Sequence, residues 1–184
     1  MDPSLAGKLL VASPLMDEPT FRRTVVLVCG HDSHGALGLV LNRPLGVRLD
    51  ALSWAWHERA APPAVMFRGG PVATESALAL GSAHPGTTPA WARPVLPGLG
   101  LLDLEQHAGT RDPAVAQLRV FSGYAGWSPG QLEVELEQDA WHVVTARAAD
   151  AFDAEPETLW QRVLRRQRGT LAFLATFPAE LSHN

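Results

Sequence analysis

The chain has 184 residues, a formal net charge of -4 at pH 7 and one cysteine. That length suits one sizeable core, or one main domain carrying a small subdomain, and 46% apolar against 18% charged residues with no long like-charge block excludes disorder as a description of the bulk. The acidic balance argues against sequence-independent nucleic-acid binding, while a lone Cys29 excludes an internal disulfide framework and suits a reducing cytosol.

The opening segment MDPSLAGKLLVASP holds an apolar run of only about five residues and no basic stretch before it, so it reads as neither a secretion signal nor a membrane span. A cytoplasmic protein without membrane contact is expected. Leu9 to Ala12, between Gly7 and Pro14, predicts a short buried strand. Thr24 to Cys29 predicts a second, Gly30 to Gly35 a turn, and Leu37 to Leu41 a third strand ending at Asn42-Arg43-Pro44. Both arms of this hairpin are apolar throughout rather than alternating, which implies a sheet covered on both faces, with helices as the cover. Leu49, Leu52 and Trp56 make one helical stripe over Leu49 to Arg59, stopped by Pro62-Pro63. Val65 to Phe67 is a strand running into Arg68-Gly69-Gly70-Pro71, a turn that calls for glycine geometry. Ala77 to Leu80 is a further short strand, Gly81 to Gly100 is a proline-rich excursion, and Leu99 to Leu104 recovers strand character before a short helix opening at Asp112-Pro113.

The most informative stretch is RVFSGYAGWSPGQLEVEL, Arg119 to Leu136. A strand ends at Phe121. Gly123, Ala125 and Gly126 supply small residues for a sharp turn or a close backbone approach, and Ser128-Pro129 with Gln131 forms a Ser-x-x-Gln capping box that starts a helix. The resulting helix N-terminus could receive an anion; equally, the glycines could only let Tyr124 and Trp127 pack while Ser128 caps its own helix. The strand Trp141 to Thr145 completes a βαβ unit. A helix over Asp153 to Arg168 carries acids at its start and arginines at its end, matching its dipole, and Leu171 to Phe177 is open between helix and strand.

Cys29, His31 and His34 are metal-ligand types, but no second pair is at hand to close a tetrahedral site, so neither a metal nor another cofactor is expected. FSGYAGWS lacks the spacing of a nucleophile elbow, and GYAGWSPG lacks the endings of a P-loop or a dinucleotide turn. Arg43 and Arg68 each end a strand. If those strand ends adjoin the 122–128 turn, the two arginines, with Gly69, Gly70, Ser122, Gly123, Gly126 and Ser128, form one rim for an anionic ligand. The competing reading leaves each arginine solvated or bonded to a loop carbonyl.

The segments GKLLVASP, FRRTVVLVCGHDSHGALGLVLNRPL, FRGGPV and RVFSGYAGWSPGQLEVEL followed by AWHVV, in this order from Gly7 to the LSHN end, resemble the YqgE/AlgH family of bacterial proteins. The resemblance implies a compact α/β protein with a mixed sheet, helices on its faces and a smaller α/β portion set into the chain. It carries a label of transcriptional regulator, and no catalytic residues or cofactor. No helix-turn-helix is visible to support direct DNA reading. The expectation is therefore an α/β (α+β mixed) fold in one domain over residues 1–184, with an inserted subdomain in about 45–115. Its function is expected to be that of a non-catalytic binding or regulatory module, with a small molecule or protein as partner. The alternative is an enzyme or sensor for an anionic small molecule at the Gly123 to Gly130 turn.

Overall fold

A computed structural model describes residues 3–104 and 112–179 of the chain. Ten strands are present there: β1 (Lys8–Ala12), β2 (Val25–Asp32), β3 (Gly35–Val40), β4 (Pro44–Arg48), β5 (Val65–Arg68), β6 (Val72–Ala83), β7 (Arg93–Leu96), β8 (Leu99–Leu102), β9 (Val115–Trp127) and β10 (Trp141–Thr145). Four short helices accompany them, α1 (Trp54–His57), α2 (Gln131–Glu137), α3 (Leu159–Arg165) and α4 (Thr170–Leu174). The fold is mixed α+β and dominated by its sheet, whose strands run in the order β10-β1-β2-β3-β9-β6-β8-β7, with β5 beside β9 and β4 beside β5. Pairing is antiparallel except between β5 and β9. Because each of the four steps from β9 to β10 is antiparallel, those two strands are parallel. The expected βαβ unit exists, but with three strands between its arms.

The continuous apolar runs have the physical cause read from them. Along β1 and β2, Leu9, Val11, Val25 and Leu27 point into one buried cluster with Leu159, Trp160, Val163 and Leu164 of α3. Leu10, Ala12, Val26 and Val28 point the other way, onto Leu132 and Leu136 of α2. A third cluster packs Leu49 and Trp56 against Ala79, Leu102 and Val120. Burying both faces of a strand removes the alternation that a half-exposed strand would show.

Several expected elements are altered. The helix over Leu49 to Arg59 is a 3-10 turn, Leu49–Ala51, followed by α1. The i→i+3 turn breaks the α-helical phase, so Leu52 is 50% exposed instead of sharing the buried stripe. The short helix at Asp112-Pro113 is absent; a turn there leads directly into β9. Pro94 lies inside β7, which it can do because β7 is an edge strand with no ladder bond to lose on its outer side. The Asp153 to Arg168 helix shrinks to the 3-10 turn Pro156–Thr158 and α3. Arg162 and Arg165 stand in the last turn of α3, where the dipole favours them, and two arginines also meet carboxylates: Arg166 grips the buried Asp150 at 2.6 and 2.7 Å, and Arg162 pairs with Asp153. The run after Gly169 is helical, as α4. Residues 105–111 of the expected insertion and the LSHN end lie outside the described residues.

The largest departure concerns β9. The glycines at 123 and 126 do not end the strand; it continues for 13 residues, crossing from β5 and β6 to β3. Gly123 has φ +67, which explains its identity, and the 69–70 segment runs so close to it that a Cβ on Gly70 would stand 2.1 Å from the Tyr124 carbonyl carbon. Neither Gly69 nor Gly70 has positive φ. They are glycines because two backbones touch there, not because the chain turns through left-handed geometry. Below this crossing, Arg119 is 1% exposed, stacked 4.2 Å over Phe67, and donates to the carbonyls of Pro62, Asp153 and Ala151.

Candidate functional site: an arginine-lined cleft

Two backbone bonds bring the sequence-predicted arginines together. The Arg68 amide donates to the Arg43 carbonyl at 2.8 Å, and the Val40 amide donates to the Gly69 carbonyl at 2.8 Å. Asn42, 4% exposed, fixes the bend between them: its Oδ1 accepts from the Val25 amide and its Nδ2 donates to the Arg23 carbonyl. Arg43, Arg68 and Gly70 then line one cleft of about 270 Å³ together with Pro19, Thr20 and Val40. Arg43 also borders an adjoining cleft of about 330 Å³ walled by Arg23, Trp160, Gln161 and Glu157. Arg43 thus lines both clefts.

The positive charge of this region is concentrated, with Glu157 as the carboxylate bordering the second cleft. Arg23 lies 4.4 Å over the Trp160 ring and donates to the Phe177 carbonyl at 2.5 Å; Arg22 donates to the Ala179 carbonyl, and Arg43 to the Arg22 carbonyl. Among the described residues, Arg22, Arg23, Arg43 and Arg68 make no ion pair with a carboxylate. Burial pushes the Arg43 guanidinium below the usual arginine range, and burial, followed by the charge of Arg22, does the same to Arg23. Both effects penalise the cationic form, so an anion arriving at the cleft would relieve them. Guanidinium groups held on neutral carbonyls keep donors suited to a phosphate or carboxylate.

The remaining sequence candidates are distributed differently. Ser122 pairs with Arg68 in the parallel ladder and spends its hydroxyl on the Thr74 carbonyl at 2.6 Å. Gly69, Gly70 and Gly123 form the backbone crossing that roofs this end of β9. Gly126 lines another cleft, with Phe21, Trp127 and Trp141. Only half of the expected capping box forms: Gln131 Oε1 accepts from the Ser128 amide at 3.0 Å, but the N-cap is Gly130 and makes no side-chain cap bond. With seven residues and Glu133 in its first turn, α2 presents an acidic rather than an anion-receiving end.

His31 and His34 do not act as a pair. His31 is the penultimate residue of β2; its Nδ1 accepts from the Leu5 amide, so Nε2 carries the proton and donates to Glu133 at 2.7 Å, while His34 is exposed in the turn. Cys29 is buried in β2. No group of three or more His, Cys, Asp or Glu able to hold a metal ion occurs among the described residues. Sequence reasoning missed the contribution of Pro19, Thr20, Arg22 and Arg23. The available signal was the Arg22-Arg23 doublet directly before an apolar strand, a position where charge is held at a strand mouth.

A family model described as AlgH-like matches residues 9–172. A UPF0301 protein of Streptomyces coelicolor is 48% identical over 185 residues, covering 98% of this chain and 96% of that protein. One of Thermobifida fusca is 45% identical over 190 residues, with coverage of 98% and 96%. Among solved structures, a Corynebacterium diphtheriae protein superposes with a TM-score of 0.87 at 28% identity, over 96% of this chain and 94% of its own. The solution structure of the AlgH protein from Pseudomonas aeruginosa gives a TM-score of 0.69 at 31% identity, over 100% and 98%.

Proposed function

The chain belongs to the AlgH-like family, and from that premise we propose that it is a non-catalytic binding module of the cytoplasm that recognises an anionic small molecule and acts through regulation. The observation that carries this reading is the convergence of Arg43 and Arg68 on one cleft with no carboxylate partner among the described residues. The side chains of that cleft supply positive charge and one hydroxyl, from Thr20, and no general base; they suit holding charge better than transferring a group. We read residues 45–115 as the smaller α/β portion, whose strand β5 ends at Arg68 and so brings it to Arg43, which stands directly before β4. Direct DNA reading is disfavoured by the net charge of -4. No described helix is long and apolar enough to cross a membrane.

Calorimetric titration with inorganic pyrophosphate tests the proposal. The expected result is saturable binding on the order of millimolar or tighter, lost in Arg43→Ala and Arg68→Ala variants that keep the native melting temperature. Absence of binding, or binding that both variants retain, overturns it.

A further inference from the structure

We propose that segment 177–179 is a strap that competes with the anion for the arginines beside the cleft, so that anion binding and release of this segment form one equilibrium. The inference rests on the anion-binding reading above. Three successive carbonyls of the segment accept from two guanidinium groups: Arg23 donates to Phe177, at 2.5 Å, and to Pro178, while Arg22 donates to Ala179. Ala179 also walls the cleft of about 330 Å³, together with Arg23 and Arg43. The segment therefore takes up both donors and space at the border of the anion site. Arg43 extends the link, because its guanidinium donates to the carbonyl of Arg22, the residue whose side chain clamps Ala179.

Little else holds the strap. Ala175, 2% exposed, is the last buried residue at this end of the described chain, and residues 176–179 are all exposed, so no apolar burial fastens them. Among the described residues, the final backbone bond runs from the Phe177 amide to the Leu174 carbonyl at 3.2 Å. Past that point the two arginines do the holding. A carbonyl is a neutral acceptor, whereas phosphate or carboxylate oxygens make charge-assisted bonds to guanidinium that are roughly twice as strong. The Arg23 cation is disfavoured by burial and then by the charge of Arg22, and an anion offsets both more fully than a carbonyl dipole does. Arriving at Arg43, it draws on the same donors that fix the strap. A purely structural clasp behaves in the opposite way: an anion beside it adds order and leaves the segment in place.

The test keeps the full chain and uses inorganic pyrophosphate at a fixed ionic strength of about 0.15 M, where distant charges are screened. Hydrogen exchange read by mass spectrometry should show the amides of Thr176, Phe177 and Ala179 exchanging faster with pyrophosphate bound, the reverse of the protection a ligand usually confers. Arg22→Ala removes one clamp from an exposed position outside the lining of both clefts. Loss of a positive charge by itself weakens anion binding. The strap requires the opposite, pyrophosphate bound more tightly by a factor on the order of three to ten, because less of the protein is held closed. Exchange that slows or stays unchanged while calorimetry shows binding, or an Arg22→Ala variant that binds no tighter than the parent, overturns the strap and leaves the arginine cleft standing. Absence of binding to both proteins overturns the cleft reading and the strap with it. If Arg22→Ala does not fold, the direction of exchange in the parent decides alone.

Discussion

Arg119→Met tests what holds the two ends of the molecule to β9. The guanidinium bridges the carbonyls of Pro62 at 2.6 Å, Asp153 at 3.0 Å and Ala151 at 3.2 Å, and stacks on Phe67. Methionine keeps most of the buried stem but offers no donor. Three acceptors left without a partner cost about 1–2 kcal/mol each where partly buried, and the lost ring contact adds about 1 kcal/mol. Against this stands the desolvation of the cation: burial lowers its pKa to about 10, opposed only by the Asp153 charge, and Nε has no partner in the described structure. Relative to an ordinary arginine, that shift corresponds to about 3 kcal/mol against the charged form, a penalty that methionine removes. The net expectation is a destabilisation of about 1–4 kcal/mol, with a fall of about 2–4 °C in melting temperature per kcal/mol for a chain of this size. Arg119→Ala should cost about 2 kcal/mol more through the cavity it leaves. Urea unfolding of the three proteins, compared at equal m-value, reads these differences. A methionine variant as stable as the parent would refute the reasoning, since it would mean that desolvation cancels the bridging entirely.

Gly70→Ala should destabilise by about 3 kcal/mol or prevent folding, because its Cβ would press on the Tyr124 backbone, while Gly46→Ala, with nothing within 4 Å of the added carbon, should lie within about 0.5 kcal/mol of the parent; thermal unfolding of the pair checks both. Asp153 gives a pH dependence: burial pushes its carboxyl up, but the Arg162 hydrogen bond, the Glu155 amide and the charges of Arg162 and Arg119 pull it below the usual aspartate range. A depressed folded pKa means that this stabilisation is complete above the unfolded pKa and is lost as pH falls through the folded one, so the gap between parent and Asp153→Asn in urea midpoints should close on acidification and not on alkalinisation. Cys29, buried and with its thiol pushed up to about 12, should resist a disulfide reagent at pH 8 until denaturant is added; stoichiometric labelling of the native protein would contradict its placement. Ser128→Ala should change stability by less than about 0.5 kcal/mol, since no cap bond from a side chain holds α2; a loss near 1 kcal/mol in chemical unfolding would restore the serine cap.

The parts of the fold legible in the sequence were those in which local pattern and burial agree. β1, β2 and β3 are unbroken apolar runs between glycine or proline stops, and burial on both faces explains that composition. The sequence reading shortens β6 to Ala77 to Leu80 because residues 72–76 of the strand are largely exposed and include the polar run Thr74-Glu75-Ser76. The sequence reading ends β9 at Phe121, before Gly123, because a glycine that permits a strand crossing looks, in one dimension, like a glycine that permits a turn. For the cleft, Arg43 and Arg68 could be named from their places at strand ends. Their neighbours in the adjoining cleft could not: Arg23 is fixed by Trp160 and the carbonyl of Phe177, and contacts across so many residues leave no periodicity to read.

β9 is held by β3 through Ala125 to Trp127 and by β5 and β6 through Phe121 and Ser122. A strand claimed by two sets of neighbours cannot be released by one alone. Its amides between 118 and 121 should therefore exchange with deuterium only when the whole molecule opens, at the free energy of global unfolding, while β7 and β10, each paired on a single side, exchange through local fraying. The crossing that brings Arg68 beside Arg43 is then also the last piece of the protein to let go.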